Sequence, residues 1–209
     1  MTFLVFLVIG IGLVAFFCYA IFLSNQNDQD LSSAIASRDP ELVKRKIDSG
    51  CNVNAKALHG RTMLTMACTL PSPREEADSR PLAQIAYDIL KLLLEHGATK
   101  TLNELDSYAG NAPIHYMALP SYYHPEDHVK LLMLLISNGA DINIKDRKGN
   151  TPLHLAVHYR APIEIITVLV EHGADLNAKA KGGETPLQLA INDENTHIIE
   201  LLRQHGAKE

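Results

Sequence analysis

The segment Gly149-Asn150-Thr151-Pro152-Leu153-His154-Leu155-Ala156 constrains the fold more than any other, because weakened copies of it recur along the chain. Thr185-Pro186-Leu187-Gln188-Leu189-Ala190 is one copy, Ala112-Pro113-Ile114-His115-Tyr116-Met117 a second, and Thr62-Met63-Leu64-Thr65-Met66-Ala67 a third. Each reads as a helix start. A threonine hydroxyl serves at the N-cap, and proline at the first helical position loses nothing by lacking an N–H. The small and apolar residues that follow predict a short helix packed closely on its neighbours. A chain of such copies stacks alike units, each covering the apolar side of the next.

A second marker sets the register. Gly50, Gly97, Gly139, Gly173 and Gly206 stand at intervals of 47, 42, 34 and 33 residues. A left-handed backbone at a helix C-terminus costs least at glycine, so each is read as the end of a second helix. The apolar stretches ahead of four of them are Ile85 to Leu94, Val129 to Ile136, Ile163 to Val170 and Ile198 to Leu202. These are hydrophobic on more than one face, which predicts helices sandwiched between others. Glu41 to Asp48 keeps only a narrow apolar stripe with a charged back, and Glu200, Arg203 and Gln204 give the last helix a polar side. Both read as helices facing water.

The block at Thr151 to Ala156, on this spacing, resembles the ankyrin repeat, whose T-P-L-H-x-A signature recurs about every 33 residues. The resemblance implies an all-α solenoid of five helix-turn-helix repeats with connecting loop fingers, at about 29–56, 57–106, 107–145, 146–179 and 180–209. It further implies a protein-protein interaction module that grips a partner protein by a concave face. Carried over by position, the fingers supply Leu58, His59 and Arg61, then Tyr108 and Asn111, then Arg147, Lys148 and Asn150, then Lys181 and Glu184. The first helices add His158, Tyr159, Asn192 and Asp193. Because Arg61, Arg147, Lys148 and Lys181 are basic groups in an acidic protein, the partner is expected to offer an acidic patch.

The spacing departs from the family's at the turns between the two helices of a repeat. About fourteen extra residues fall around Leu70 to Pro81, about six around Leu119 to Pro125, and one near Arg160. Three more lengthen the loop from Thr101 to Gly110. Insertions in exposed loops are tolerated cheaply. Stacked in register, these would form a ledge, with Tyr122, Tyr123 and His124 as a possible second contact surface.

Phe3 to Leu23 is an uninterrupted apolar run of 21 residues. At about 1.5 Å per residue it reaches roughly 30 Å, the thickness of a bilayer's hydrocarbon core. Residues 1–24 are therefore expected to form one transmembrane helix or signal anchor, followed by a polar tether at 25–30. A cleaved secretion signal is the alternative, with Cys18-Tyr19-Ala20 offering small residues near a cut. The lack of Lys or Arg before the run, and its continuation through Ile21-Phe22-Leu23, favour the anchor. Asp28 and Asp30 precede the first basic residue, Arg38. This charge order favours an inner-membrane protein with its repeats on the periplasmic or outer side. Resemblance to small bacterial proteins of this build implies a narrower alternative, an immunity protein neutralising a cognate secreted toxin.

A net charge of −5 leaves no basic excess for a nucleic-acid partner. Cys51 and Cys68 occupy places where the repeat usually has alanine and read as core fillers, with a disulfide between them left open. Of the ten histidines, His115 and His154 are the structural histidine of the resembled motif, and His96, His172 and His205 each precede a helix-ending glycine. His124 and His128 are spaced four apart with Asp127 between, the one pattern that suggests a catalytic or zinc loop. Pro125 argues against a regular helix there, and no second ligand pair appears. No phosphate loop or nucleophile elbow occurs, so no enzyme, metal or cofactor is expected.

Overall fold

The computed structural model describes residues 31–57, 60–69, 80–120 and 124–208. A helical stretch at 31–36 (α1) is followed by α2 (Pro40–Asp48), α3 (Met63–Cys68), α4 (Arg80–Glu95) and a 3-10 turn at Ala98–Thr101. Then come α5 (Pro113–Met117), α6 (Pro125–Ser137), α7 (Pro152–His158), α8 (Ile163–Glu171), α9 (Pro186–Asn192) and α10 (Thr196–Gln204). Among the described residues the one β feature is an isolated bridge between Lys56 and Thr62.

The caps form as the threonines predict. Thr62, Thr151 and Thr185 accept from the backbone N–H three residues on, at 3.1, 3.5 and 3.3 Å. At the second-helix ends Gly50, Gly97, Gly139, Gly173 and Gly206 all lie at φ between 92° and 94°. This turns the chain so that Ala140 and Ala174 donate to Leu135 and Leu169, each at 3.0 Å. Just before three of these glycines, Nδ1 of His96, His172 and His205 bonds the carbonyl four residues back at 2.8 Å.

First helices pack in series, α3 on α5 on α7 on α9, and second helices likewise, α2 on α4 on α6 on α8 on α10. The core runs between these two layers. Ala67, Ala156 and Ala190 are fully buried where first helices meet, and Leu90, Leu132, Ile166 and Leu202 fill the second layer. Cys51 and Cys68 are buried free thiols. Burial raises the Cys68 thiol far above its ordinary value, which keeps it protonated and inert.

The insertions are not wholly loop. α4 has 16 residues and α6 has 13, against 9 in α8 and α10, so part of the extra chain lengthens the second helices at their N-terminal ends. Pro125 is the first residue of α6, where its missing N–H is harmless, so the helix that proline seemed to forbid begins on it. Of the expected ledge, 70–79 and 121–123, with Tyr122 and Tyr123, lie outside the described residues, as does Phe3 to Leu23; His124 and Arg160 are described and exposed. Among the described residues no helix is long and apolar enough to cross a membrane.

Candidate partner-binding face

Each loop finger is a tight turn closed across its base. Asp146 N–H donates to Asn150 at 2.8 Å and Ala180 N–H to Glu184 at 3.0 Å. Inside the first of these turns the Asp146 carboxylate accepts from the N–H of Lys148 and of Asn150, both at 2.7 Å. Asp106 does the same for its own turn, accepting from Ala109 N–H at 2.7 Å, Gly110 N–H at 3.0 Å and the Tyr116 hydroxyl at 2.5 Å. Burial alone would raise the Asp106 carboxyl. The Tyr116 hydroxyl and the N–H groups of Ala109, Gly110 and Tyr108 outweigh it and hold the group below the carboxylate range.

The fingers are held on the helices by buried imidazoles. Nδ1 of His115 accepts from Ala112 N–H at 3.1 Å, and Nδ1 of His154 from Thr151 N–H at 3.2 Å. Nε2 must then carry the proton, and it donates to the next finger: His115 to Asn150 O at 3.2 Å, His154 to Glu184 O at 3.1 Å. Burial, the largest cause, lowers both rings below the ordinary imidazole value, which keeps them neutral as this bonding requires.

A cavity of about 610 Å³ lies between the fingers and the first helices α7 and α9. Leu119, Pro120, Leu155 and Leu189 line it, with His158 and Tyr159. Lys148 reaches it from the fingers. Tyr159 is 52% exposed and packs edge-on against His158, ring centroids 4.8 Å apart.

The residues named from the sequence divide into three groups. Tyr108, at 77% exposure, Lys148, His158, Tyr159, Lys181 and Asn192 project into solvent from fingertips or helix ends. A second group is engaged within the protein. Arg147 spans to the preceding finger, donating from Nη1 to Ser107 O at 3.0 Å and from Nη2 to Asp106 O at 3.3 Å. Arg61 is half-buried on the Thr69 hydroxyl, Asn111 is buried, and Asn150 donates to its own Asp146 at 3.0 Å. Asp193 meets Arg160 at 3.8 Å, and Glu184, though exposed, folds back over Gly182. Leu58 and His59, the third group, lie outside the described residues.

His124 and His128 do not converge. His128 is fully buried in α6, bonded to the Met117 backbone and lowered to about 4 by burial, whereas His124 is exposed at the N-cap. Asp127 between them pairs with Lys130 at 2.7 Å. Among the described residues no group of three His, Cys, Asp or Glu side chains could hold a metal. The sequence reading missed the apolar lining itself, Leu155 and Leu189 with Leu119 and Pro120. Their signal was present: an apolar residue four places after each N-cap, at Met66, Tyr116, Leu155 and Leu189.

Paired helices in two layers, with hydrogen-bonded fingers beside the first helices, define a solenoid of stacked repeats. Residues 114–209 match the family described as Ankyrin repeats (3 copies). An ankyrin repeat protein of Acanthamoeba polyphaga mimivirus is 32% identical over 142 residues, covering 67% of this chain and 15% of that protein. The nuclear factor NF-kappa-B p105 subunit of Gallus gallus is 30% identical over 128 residues, 61% of this chain and 11% of the relative. An ankyrin repeat protein of fowlpox virus is 35% identical over 94 residues, 33% and 21% of the two chains. The chain thus spans between 11% and 21% of the length of these curated relatives. It carries ankyrin repeats in the all-α ankyrin-repeat fold, and such repeats are protein-protein interaction modules.

Proposed function

We propose that the protein captures one partner protein in the concave cavity under its fingers, from a position tethered to a membrane by Phe3 to Leu23. The observation that carries the first half is the cavity itself, lined by the half-buried Leu189 and the edge of the buried Leu155 together with the exposed Lys148 and Tyr159. An aromatic at the rim of an apolar pocket is the composition of an interaction hot spot. The tether rests on the 21-residue apolar run. The acidic patch expected of the partner now faces Lys148 and Lys181, since Arg61 and Arg147 are engaged internally.

Affinity purification from detergent-solubilised membranes, followed by mass spectrometry, tests both halves. The wild type should retain a partner that the double variant Lys148→Glu, Lys181→Glu loses, and the protein should require detergent for extraction. Release by salt alone would remove the tether, and equal capture by the double variant would remove the cavity. A single tightly held secreted toxin in the eluate would select the immunity reading over a general scaffold.

A further inference from the structure

The last two repeats carry opposite charge at the two ends of their first helices. The fingers, at 145–150 and 179–184, hold Lys145, Arg147, Lys148, Lys179 and Lys181 against Asp146 and Glu184. None of these five cations forms an ion pair among the described residues. Lys145 and Arg147 donate to backbone carbonyls, and the other three are exposed. The Asp146 carboxylate is spent on three hydrogen bonds within its own turn, and Glu184 lies over Gly182.

The turns that follow α7 and α9 have the other sign. Arg160 is matched there by Asp193 at 3.8 Å, which leaves Glu164 and Glu194 exposed with no ion pair among the described residues. Glu194 keeps its side chain at φ 53°, a backbone that favours glycine. Tyr159, Ile163 and Ile191, three of the large apolar side chains that stand exposed, lie in or beside these turns. Exposed apolar groups gathered at one end of a face mark a contact surface.

Between fingers and turns run α7 and α9, seven residues or about 10 Å each. The cavity reaches both ends. Lys148 and Glu184 line it from the fingers, Leu155 and Leu189 from the helices, and His158 and Tyr159 from the turn end. Opposite charge at two ends of one face fixes how a partner docks, because the reversed sense would set like charges together. We propose that the partner lies across α7 and α9 in one sense only, with acidic groups at the fingers, an apolar group in the cavity and basic groups over the turns at Glu164 and Glu194. This rests on the cavity being the partner site; it adds the turn end to that site and gives the partner a direction.

The probes are fluorescent synthetic peptides that share a central apolar stretch. One is flanked by glutamates on one side and lysines on the other, the second by glutamates on both, the third by lysines on both. Binding to the full chain in detergent is read by polarisation at low salt. The wild type should bind the mixed peptide at least about fivefold tighter than either uniform one. Glu164→Lys with Glu194→Lys should move the preference to the all-glutamate peptide. Lys148→Glu with Lys181→Glu should move it to the all-lysine peptide. A variant that gains a new preference is also shown to be folded. Attraction to the net charge of −5 alone would rank the all-lysine peptide first for the wild type, and that ranking overturns the proposal. Equal binding of the three, binding of none, or a turn variant that still prefers the mixed peptide overturns it too. If the partner captured from membranes is lost by the finger variant and kept by the turn variant, the cavity stands and its direction falls. A captured partner kept by both variants removes the cavity as well.

Discussion

The third residue of α7 is His154, whose ring caps its own helix on one side and reaches the Glu184 carbonyl of the next finger on the other. At the same place in α3 stands Thr65, which is equally buried but exchanges a side-chain bond only with Thr62, at 2.9 Å. One pair is joined to its neighbour by a directed bond. The other has no such bond at this place and adds surface: its second helix, α4, is longer than α8 by nearly two turns and buries Leu82, Ile89, Leu90 and Leu93 among its residues. A stacked fold thus has two ways to hold adjacent units, and this chain uses both. Directed bonds also fix where a finger sits, and the cavity lies where those bonds are.

Acid should separate the two regions most. Burial is the largest cause lowering His115, His154 and His128, and His128 sits at about 4. Below the unfolded value of about 6.5 the unfolded chain binds more protons than the folded one. Stability is therefore whole above that pH and is lost as pH falls toward about 4. His128 alone accounts for about 3 kcal/mol of the loss. Urea midpoints at neutral and acid pH measure it, and hydrogen exchange should show α5 to α7 losing protection before α3. Uniform loss along the chain would break the contrast.

Next in size is His154→Ala, which strands the buried Thr151 N–H and leaves the Glu184 carbonyl only its bond from Ala180 N–H. It should cost about 2–3 kcal/mol by urea unfolding, against about 1 kcal/mol for Thr65→Ala. Equal costs would mean that the imidazole bridge adds nothing beyond its cap. Gly149→Ala tests the same junction from the finger side. Gly149 has φ 80°, and a Cβ there would lie 2.8 Å from Lys181 N. A loss of about 1–2 kcal/mol is expected.

The smallest effect has the opposite sign. Arg160 and Glu194, at the turns between paired helices, hold φ of 55° and 53° with full side chains. Glu194→Gly should stabilise by about 1 kcal/mol, seen as a higher Tm. Arg160→Gly should gain less, because it also gives up the contacts to Asp193.

The caps and helix-ending glycines were legible because each rests on one residue's local chemistry: a hydroxyl before a proline, or a missing Cβ. The lengths of α4 and α6 were not. Proline-rich insertions read as loop, yet proline also opens helices, and nothing within Pro120 to Pro125 tells the two uses apart. In the candidate site, exposed fingertip residues such as Tyr108 and Lys148 followed from position in the repeat. Arg147 and Asn111 did not, because their surroundings belong to other turns and no single repeat contains that information. Leu155 and Leu189 were overlooked for a different reason. A leucine after a helix start reads as core, as Leu155 largely is, and only the stacked arrangement puts its edge and the half-buried Leu189 on a cavity.

In the loops that lead from each second helix to the following finger runs a row of asparagines. Nδ2 of Asn54, Asn103 and Asn143 donates to Gly97, Gly139 and Gly173 at 3.1, 3.2 and 3.0 Å. Oδ1 of Asn103, Asn143 and Asn177 accepts from Asp141, Asp175 and Lys208 at 2.8, 2.7 and 2.8 Å. Under a pull applied end to end, load passes along this seam from one amide to the next. Each rung breaks without help from any but its immediate neighbours, so the rod yields in discrete steps and can re-zip from whatever remains.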